Sequence, residues 1–409
     1  MFLRGTHAPS SAHSCALKGF LMIQRRTFLR SLSVAPFVAK AALAKKSSSA
    51  KSKSTRILIG TNGHGAGNGI FIADWNVATG ELGEITLAAE VANPTFLALH
   101  KQGAQGFVYA VNEGGHGGIK GITAFATVAG AKTLKQLNQV DTEGNGPTHI
   151  SVTPDGNSVF VANYGGGSAS SFHVRPDGSL SPAVSHFQYE GSGPNKERQM
   201  HSFAHCVMPS PDGRYLLVND LGLDCIHTYR VNPATAELTP TEPPAWIGRP
   251  GTGPRHTAFS PDAKFLYSVN ELDSTVDILA WDASTGTLTS KGFVSTLPAG
   301  FPPNTAFAGE ITVSQDGKFV YVGNRVADDT IAVFDRDRKT GLLTLKQNSV
   351  NGGKNPRHIT LDPTDRWLLI SDQDSGTIVI HERNRTTGEL SAPVHTYPVK
   401  SKPMCIVFA

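Results

Sequence analysis

A turn followed by an apolar strand recurs along this chain, and its regular spacing constrains the fold more than any other feature. The turn reads Pro-Asp-Gly in its clearest copies, and the strand after it closes on Asn or Asp, as in residues 154–163. The closing residue recurs seven times, at Asn62, Asn112, Asn163, Asp220, Asn270, Asn324 and Asp372. Successive copies are 48 to 57 residues apart. That period is typical of a β-propeller blade.

Each copy has room for four antiparallel strands. An apolar strand precedes the turn, the turn makes a tight hairpin, and a Thr-Gly turn such as Thr340-Gly341 opens the fourth strand. Residues 403–408 resemble a first strand with no second strand after it, and residues 56–60 resemble a second strand with no first strand before it. The sequence therefore predicts an all-β, single seven-bladed propeller of four-stranded antiparallel blades over residues 57–409. The C-terminal strand is expected to join the N-terminal blade, which removes two open sheet edges.

The first 44 residues have the features of an export signal. Arg25 and Arg26 precede the apolar stretch of residues 32–43, and Ala42-Leu43-Ala44 offers small residues for cleavage. This order is typical of a twin-arginine signal peptide, with a disordered basic tail as the alternative. Both Met1 and Met22 would serve as its start. We expect a Ser/Lys-rich linker over residues 45–56 and a periplasmic or secreted mature protein.

Charge and hydropathy exclude two classes of partner. The whole chain carries a formal charge of +4, of which the leader supplies six positive charges and the linker five, without any acid. The propeller itself is therefore mildly acidic, at about −7, whereas a nucleic-acid-binding domain is usually basic. No stretch of 18 apolar residues is present, so we expect no membrane span in the mature form. The expected protein is a monomer that acts on a small molecule.

Cysteine and metal patterns are uninformative. Cys206, Cys225 and Cys405 remain after the leader, without a CxxC pair or zinc-site spacing. A Cys206–Cys225 disulfide and three buried thiols are the two alternatives. No H-E-x-x-H or calcium-loop pattern is present, so we expect neither a metal nor a cofactor.

Polar residues fall in equivalent positions of successive blades, which form rings around a propeller's channel. Positions are counted from the Asp of each turn, or from Thr364, which replaces that Asp in the last copy. Seven residues upstream lie Thr148, His205, Arg255, Gly309 and Arg357. Those six upstream are His149, Cys206, His256, Glu310 and His358. Those nine downstream are Tyr164, Leu221, Glu271, Arg325 and Gln373, with Glu113 equivalent in the second blade. Antiparallel pairing places all three sets at one mouth of the channel.

The mouth residues favour chemistry on an anionic ligand. Three arginines suit an anion held by planar donors, and carboxylate with imidazole suits acid/base work. The alternatives are structural. The histidines six upstream would hydrogen-bond within their blades, Arg255 with Glu271 would form a buried ion pair, and the Asn or Asp that closes each second strand would cap its turn.

Three segments carry a family resemblance: residues 146–167, 211–222 and 253–272. They are similar to the propeller-type 6-phosphogluconolactonases and the fungal carboxymuconate-lactonizing enzyme, over residues 57–409. This resemblance implies opening or closing of lactones without a metal. It assigns the catalytic set, motif by motif, to His205, Arg255, Glu271 and Arg325. The family's usual His-Ala-His reads Phe203-Ala204-His205 here, with a histidine displaced to His201.

These observations combine into a hypothesis of hydrolysis of a small anionic sugar lactone. Glu271 or His205 would activate water, Arg255 would stabilise the oxyanion, and Arg325 with Arg357 would hold a phosphate or carboxylate. The expected substrate-binding residues are His149, Tyr164, His256, Glu310, Arg357 and His358. Export favours an unphosphorylated aldonolactone or another cyclic ester. The alternative is a non-catalytic exported propeller that presents its channel mouth to a protein or glycan.

Overall fold

The computed structural model describes residues 55–113, 121–302 and 305–409. The predicted signal peptide and residues 45–54 of the predicted linker lie outside this part of the chain. The first strand already begins at Thr55, so Thr55 and Arg56 belong to the propeller strand rather than to a linker. Within the described residues every regular element is a β-strand, and none is a helix that could cross a membrane.

The strands group into seven antiparallel sheets, which confirms the predicted seven-bladed all-β propeller. Blade 1 contains β1 (Thr55–Asn62), β2 (Gly69–Asn76), β3 (Glu81–Leu82), β4 (Thr86–Glu90) and β29 (Lys402–Phe408). Blade 2 contains β5 (Leu97–Gln102), β6 (Gln105–Asn112), β7 (Gly121–Thr127) and β8 (Leu134–Asp141). Blade 3 contains β9 (Pro147–Val152), β10 (Ser158–Asn163), β11 (Ser168–Val174) and β12 (Leu180–Gln188).

The other blades repeat the four-stranded pattern. Blade 4 contains β13 (Ala204–Pro209), β14 (Tyr215–Asp220), β15 (Cys225–Val231) and β16 (Leu238–Ile247). Blade 5 contains β17 (Pro254–Phe259), β18 (Phe265–Asn270), β19 (Thr275–Asp282) and β20 (Thr287–Ser295). Blade 6 contains β21 (Phe307–Val313), β22 (Phe319–Arg325), β23 (Thr330–Arg336) and β24 (Leu343–Val350). Blade 7 contains β25 (Pro356–Leu361), β26 (Trp367–Asp372), β27 (Thr377–Arg383) and β28 (Leu390–Pro398).

The C-terminal strand closes the ring. β29 pairs with β1 from Ile57 opposite Phe408 to Asn62 opposite Lys402, and so becomes the innermost strand of blade 1. The innermost strands β5, β9, β13, β17, β21, β25 and β29 contact one another in succession around the channel. Closure therefore pairs the inner edge of β1 with β29, as the sequence predicts.

Apolar faces of adjacent blades pack together to form the core. Each of seven apolar clusters in the described residues draws side chains from two neighbouring blades. At the junction of blades 7 and 1, Trp367 packs with Ile57 and Ile59. Its indole N–H donates to the carbonyl oxygen of Val77 at 2.9 Å. The period-2 alternation of each strand thus buries one face against each neighbouring blade.

The turn that defines the repeat has one backbone conformation in all five copies that carry it. Its third residue has a positive φ at Gly156, Gly213 and Gly317. The same conformation holds at Ala263 and Asp365, where the sequence lacks glycine. The sequence alignment on this turn is therefore a structural alignment as well, and counting from it places the channel residues correctly.

Candidate active site

Bulges in the innermost strands bring two consecutive side chains of a blade into the channel. In β13, Ala204 pairs with Asp220 and Cys206 pairs with Asn219, so His205 is an extra residue between them. Arg255 in β17 and Arg357 in β25 occupy the same bulged position. A regular strand would point two successive side chains to opposite faces, whereas a bulge re-aims one of them.

The bulges create two layers of side chains across the channel. The mouth layer consists of the bulged residues and their equivalents, which are Thr95, Thr148, His205, Arg255, Gly309, Arg357 and Met404. The floor layer consists of the next residue in each blade, namely Phe96, His149, Cys206, His256, Glu310, His358 and Cys405. Counting from the turn in the sequence identified the mouth-layer and the floor-layer residue of five blades. It missed Thr95-Phe96 and Met404-Cys405, because blades 1 and 2 have no Pro-Asp-Gly turn to count from.

A cavity occupies the channel at the mouth layer. Its lining consists of Thr95, Phe96, Glu113, Thr148, His205, Arg255, His256, Arg357 and Met404. The mouth layer forms the walls, and Phe96 and His256 contribute from the floor layer. Gly309 adds no side chain in blade 6, where a Cβ would lie 3.0 Å from Nε of Arg325. The glycine therefore leaves room for the Arg325 side chain.

Glu271 is the centre of a cluster of arginines beside this cavity. Its Oε2 accepts from Nε of Arg255 at 3.0 Å and from Nη2 of Arg325 at 2.7 Å. Its Oε1 accepts from Nη2 of Arg198. Arg255 also donates Nη1 to the carbonyl oxygen of Gly309 at 2.9 Å, which leaves its Nη2 without a partner among the described residues. The predicted pairing of Arg255 with Glu271 is present, and it is part of a larger network.

The network keeps Glu271 ionised and its oxygens occupied. Burial raises the pKa of this carboxyl, but the guanidiniums of Arg325, Arg255 and Arg198 outweigh it and hold the pKa well below its usual range. Burial, then Arg325 and Arg357, lower the pKa of Arg255 to about 9, which still leaves this guanidinium charged at neutral pH. The carboxylate therefore fixes the arginines in place, and three charge-assisted hydrogen bonds occupy its oxygens.

Arg198 is the residue of this cluster that sequence reasoning missed. It comes from the loop of residues 189–203 between β12 and β13, which we call the mouth loop. The loop has no counterpart in the other blades, so counting from the repeated turn could not assign an equivalent position to Arg198. The one signal was the spacing of 57 residues between Asn163 and Asp220, the longest in the chain.

His205 is a buried imidazole next to the arginines. It is 5% exposed, and its Nδ1 has no hydrogen-bond partner among the described residues. Its ring lies 5.2 Å from that of Tyr164 and 5.0 Å from that of His256. Burial, with help from Arg255 and His256, lowers its pKa well below the ordinary value. The imidazole is therefore neutral at pH 7, as a general base must be.

The other predicted mouth residues differ in how firmly the protein holds them. The guanidinium of Arg357 lines the cavity and forms no hydrogen bond or ion pair with the described residues. Tyr164 is half-buried, and burial followed by Glu271 raises the pKa of its phenol. Arg325, which the sequence placed on the anion with Arg357, is instead engaged with Glu271.

The floor layer is a network of polar groups that bond between blades. His256 Nδ1 lies 2.9 Å from both oxygens of Glu310, whose Oε2 lies 3.8 Å from Nε2 of His358. His149 Nδ1 accepts the backbone N–H of Val207 at 3.3 Å. The predicted hydrogen bonds within each blade thus run to the next blade instead. Burial is the largest cause that lowers the pKa of His149, His256 and His358, and it outweighs the opposing charge of Glu310 at His149 and His358. Their assignment to substrate binding stays a prediction.

The remaining side-chain predictions concern turns, thiols and metals. Asp220 caps its turn by accepting the backbone N–H groups of Phe203, Gly222 and Leu223, which is the structural role expected of the closing residue. Cys206 and Cys225 are free buried thiols, so no disulfide joins them. In the described part of the chain, no cluster of three or more His, Cys, Asp or Glu side chains is arranged to hold a metal ion.

Comparisons with known proteins point to one family. The family model "Lactonase, 7-bladed beta-propeller" matches residues 56–408. The 6-phosphogluconolactonase of Bacillus subtilis is 33% identical over 350 residues, which cover 86% of this chain and 97% of that protein. The 6-phosphogluconolactonase of Formosa agariphila is 32% identical, over 79% of this chain and 91% of its own. Among solved structures, the periplasmic gluconolactonase of Pseudomonas aeruginosa aligns with a TM-score of 0.80 and 31% identity, over 87% of this chain and 98% of its own.

Proposed function

The chain belongs to the seven-bladed β-propeller lactonase family, and on that premise we propose that it hydrolyses a small sugar lactone at its channel mouth without a metal ion. One observation carries the proposal. A neutral, buried His205 and a cavity-lining Arg255 converge on one small cavity, and Glu271 fixes Arg255 there. A base and a cationic donor around one reacting carbonyl are what ester hydrolysis needs.

His205 is the proposed general base. Three guanidiniums occupy the oxygens of Glu271, which leaves it poorly placed to accept a proton from water. The His205 imidazole lines the cavity and is neutral. It takes one proton from a water molecule while the water oxygen bonds to the lactone carbonyl carbon. The sequence left Glu271 and His205 open as the base, and these contacts support the proposal of His205.

Arg255 is the proposed oxyanion donor. When water adds, the carbonyl oxygen becomes an alkoxide, and Nη2 of Arg255 is the guanidinium nitrogen left unpaired by the described residues. The carbonyl then re-forms, the bond from the acyl carbon to the ring oxygen breaks, and the imidazolium of His205 returns its proton to that oxygen. The products are one carboxylic acid and one hydroxyl group on the same open chain. A preorganised donor of this kind typically contributes about 10²- to 10³-fold in rate.

The substrate we propose is a six-carbon aldonolactone, which needs no phosphate. A twin-arginine leader would deliver the enzyme to the periplasm or outside the cell, where phosphorylated sugars are scarce. The relative from Pseudomonas aeruginosa, described as a periplasmic gluconolactonase, supports this substrate and location. The Bacillus subtilis relative, a 6-phosphogluconolactonase, supports a phosphorylated one. Arg357 is the group available to bind an anionic substituent.

The test is a pH-stat assay on glucono-δ-lactone, its 6-phosphate and a carboxymuconolactone, each corrected for spontaneous hydrolysis. We expect turnover of glucono-δ-lactone that is lost in Arg255→Gln and retained in Glu389→Gln, an isosteric change at the exposed Glu389. Faster turnover of the phosphate would move the substrate assignment to a sugar phosphate. The absence of turnover above background on all three would refute a lactonase and favour the binding-protein alternative.

A further inference from the structure

The mouth loop is a firmly anchored segment. Gln199 is completely buried and donates Nε2 to the carbonyl oxygen of Leu221 at 2.9 Å and to Asp224 Oδ1 at 2.7 Å. Its own backbone N–H donates to the carbonyl oxygen of Asn195 at 2.8 Å. Oδ1 of Asn195 accepts the backbone N–H of Arg198 at 3.1 Å. These bonds fix the backbone on both sides of Arg198, so its side chain starts from a defined position.

From that position Arg198 reaches three blades. Its Nη2 donates to Glu271 Oε1 of blade 5, and its charge acts on the phenol of Tyr164 of blade 3. Its guanidinium lies 5.2 Å from the centre of the Phe307 ring of blade 6. The side chain is 32% exposed, whereas Glu271 is 8% exposed. Arg198 therefore covers the arginine cluster from the solvent side.

The geometry of Glu271 shows what this contact accomplishes. Arg255 and Arg325 both donate to Oε2, and Arg198 donates to Oε1. Without Arg198, Oε1 would lose its hydrogen bond and the carboxylate would be less restrained against rotation. A rotation of the carboxylate would move Oε2 away from Nε of Arg255 and turn the guanidinium. Its Nη2, the proposed oxyanion donor, would then leave the reacting carbonyl. A misplacement of about 1 Å can cost about 10²-fold in rate.

We propose that Arg198 is a positioning residue for lactone hydrolysis: its guanidinium locks the orientation of the Glu271 carboxylate and so keeps Arg255 aimed at the reacting carbonyl. The role rests on the proposed function, because it acts through Arg255 on the same reaction. Arg198 does not need to touch the substrate.

The test compares Arg198→Ala with Arg249→Ala. Arg249 is a matched control, since it is 34% exposed, pairs with Asp273 of blade 5 at 3.0 Å and lies over the Phe293 ring. We expect kcat of Arg198→Ala to fall about 10- to 100-fold, with KM little changed. Arg198→Lys, which keeps one donor, should recover part of the loss. Arg249→Ala should retain the kcat of the natural protein.

Chemical rescue separates positioning from a general loss of structure. Guanidinium chloride, well below denaturing concentrations, should restore part of the kcat of Arg198→Ala, because the vacated position is open to solvent. Urea and sodium chloride at equal concentration should not. A kcat of Arg198→Ala equal to that of the natural protein would overturn the proposal. A rise in KM with kcat unchanged would also overturn it. A loss of kcat that neither guanidinium, urea nor salt restores would overturn it as well.

A crystal structure of Arg198→Ala tests the positioning role of Arg198 independently of the proposed lactonase activity. A rotated Glu271 carboxylate with a displaced Arg255 supports the positioning role even if none of the three lactones is turned over. An unchanged Glu271–Arg255 pair overturns it whether or not the natural protein is active. Turnover by the natural protein reports on the lactonase proposal alone.

Discussion

The mouth layer and the floor layer are one residue apart in sequence, and they differ in how many of their polar side chains lack a hydrogen-bond partner. In the floor layer, His149 bonds to the backbone of the next blade, and His256 and Glu310 bond to each other. In the mouth layer, Arg357 and Nδ1 of His205 have no partner among the described residues. Satisfied buried groups stabilise a fold, whereas unsatisfied ones are available to a ligand. The comparison supports a structural role for the floor layer and assigns the proposed chemistry to the mouth layer.

The largest expected effect is at the mouth layer. His205→Gln should lower kcat by about 10²- to 10⁴-fold, because it removes the proposed general base. The free energy of unfolding should change little, since Nδ1 of His205 gives up no hydrogen bond. Steady-state kinetics and urea unfolding of the same preparation measure both. A large loss of stability with kcat retained would place His205 with the floor layer.

The matching change in the floor layer should show the reverse. His149→Leu leaves the backbone N–H of Val207 without its acceptor, so we expect the free energy of unfolding to fall by about 1–3 kcal/mol. Its kcat should stay near that of the natural protein, because His149 does not line the cavity. Urea unfolding and the lactone assay test this. A stable but inactive variant would break the division between the layers.

Acidification should weaken the fold through the same histidines. Burial lowers the pKa of His149, His256 and His358 in the folded state, so below pH 6.5 the unfolded chain binds more protons than the native one. As the pH falls below 6.5, each of these histidines lowers the free energy of unfolding by about 1.4 kcal/mol per pH unit, until the pH reaches its pKa in the folded state. Asp372, whose pKa burial raises to about 7, acts in the opposite direction.

Urea unfolding between pH 7 and pH 5 measures this slope. His149→Leu should flatten it by about one proton. Catalysis should hold over the same range, because the lowered pKa of His205 keeps the base neutral below pH 6.5. An acid limb of kcat/KM above pH 6.5 would contradict the assignment of His205.

The smallest effect is expected at Arg357, and it bears on the substrate. Arg357→Ala should raise KM about tenfold for a phosphorylated lactone, as expected for one charge-assisted hydrogen bond, and leave KM for glucono-δ-lactone unchanged. Stability should shift by less than about 0.5 kcal/mol, since this guanidinium makes no ion pair with the described residues. Equal KM changes for both lactones would mean that Arg357 binds a group common to the two.

The sequence predicted the blade architecture and those channel residues that occupy equivalent positions in the repeated blades. The Pro-Asp-Gly turn fixes the register of the first two strands, so counting from it located His205, Arg255, Glu271 and Arg325. Their convergence follows from antiparallel pairing and ring symmetry, both of which are local rules repeated seven times.

The missed features depend on contacts outside the repeat. Arg198 lies in a loop that occurs once, and no periodicity could align it with Glu271. The proposal of His205 rather than Glu271 as the base rests on the three guanidinium contacts of Glu271, which no pattern of residue types reveals. The floor histidines His149 and His256 bond to the next blade, and a contact between blades cannot be read from a single repeat.

The paired layers also bear on how such a ring can change its activity over evolutionary time. The bulge is a backbone feature, held by strand pairing that does not depend on which side chains it displays. Substitutions at the bulged positions can therefore exchange one recognition group for another while the blade below keeps its shape. A duplicated copy of this chain could acquire a new ester specificity through a few such exchanges, without an intermediate that fails to fold.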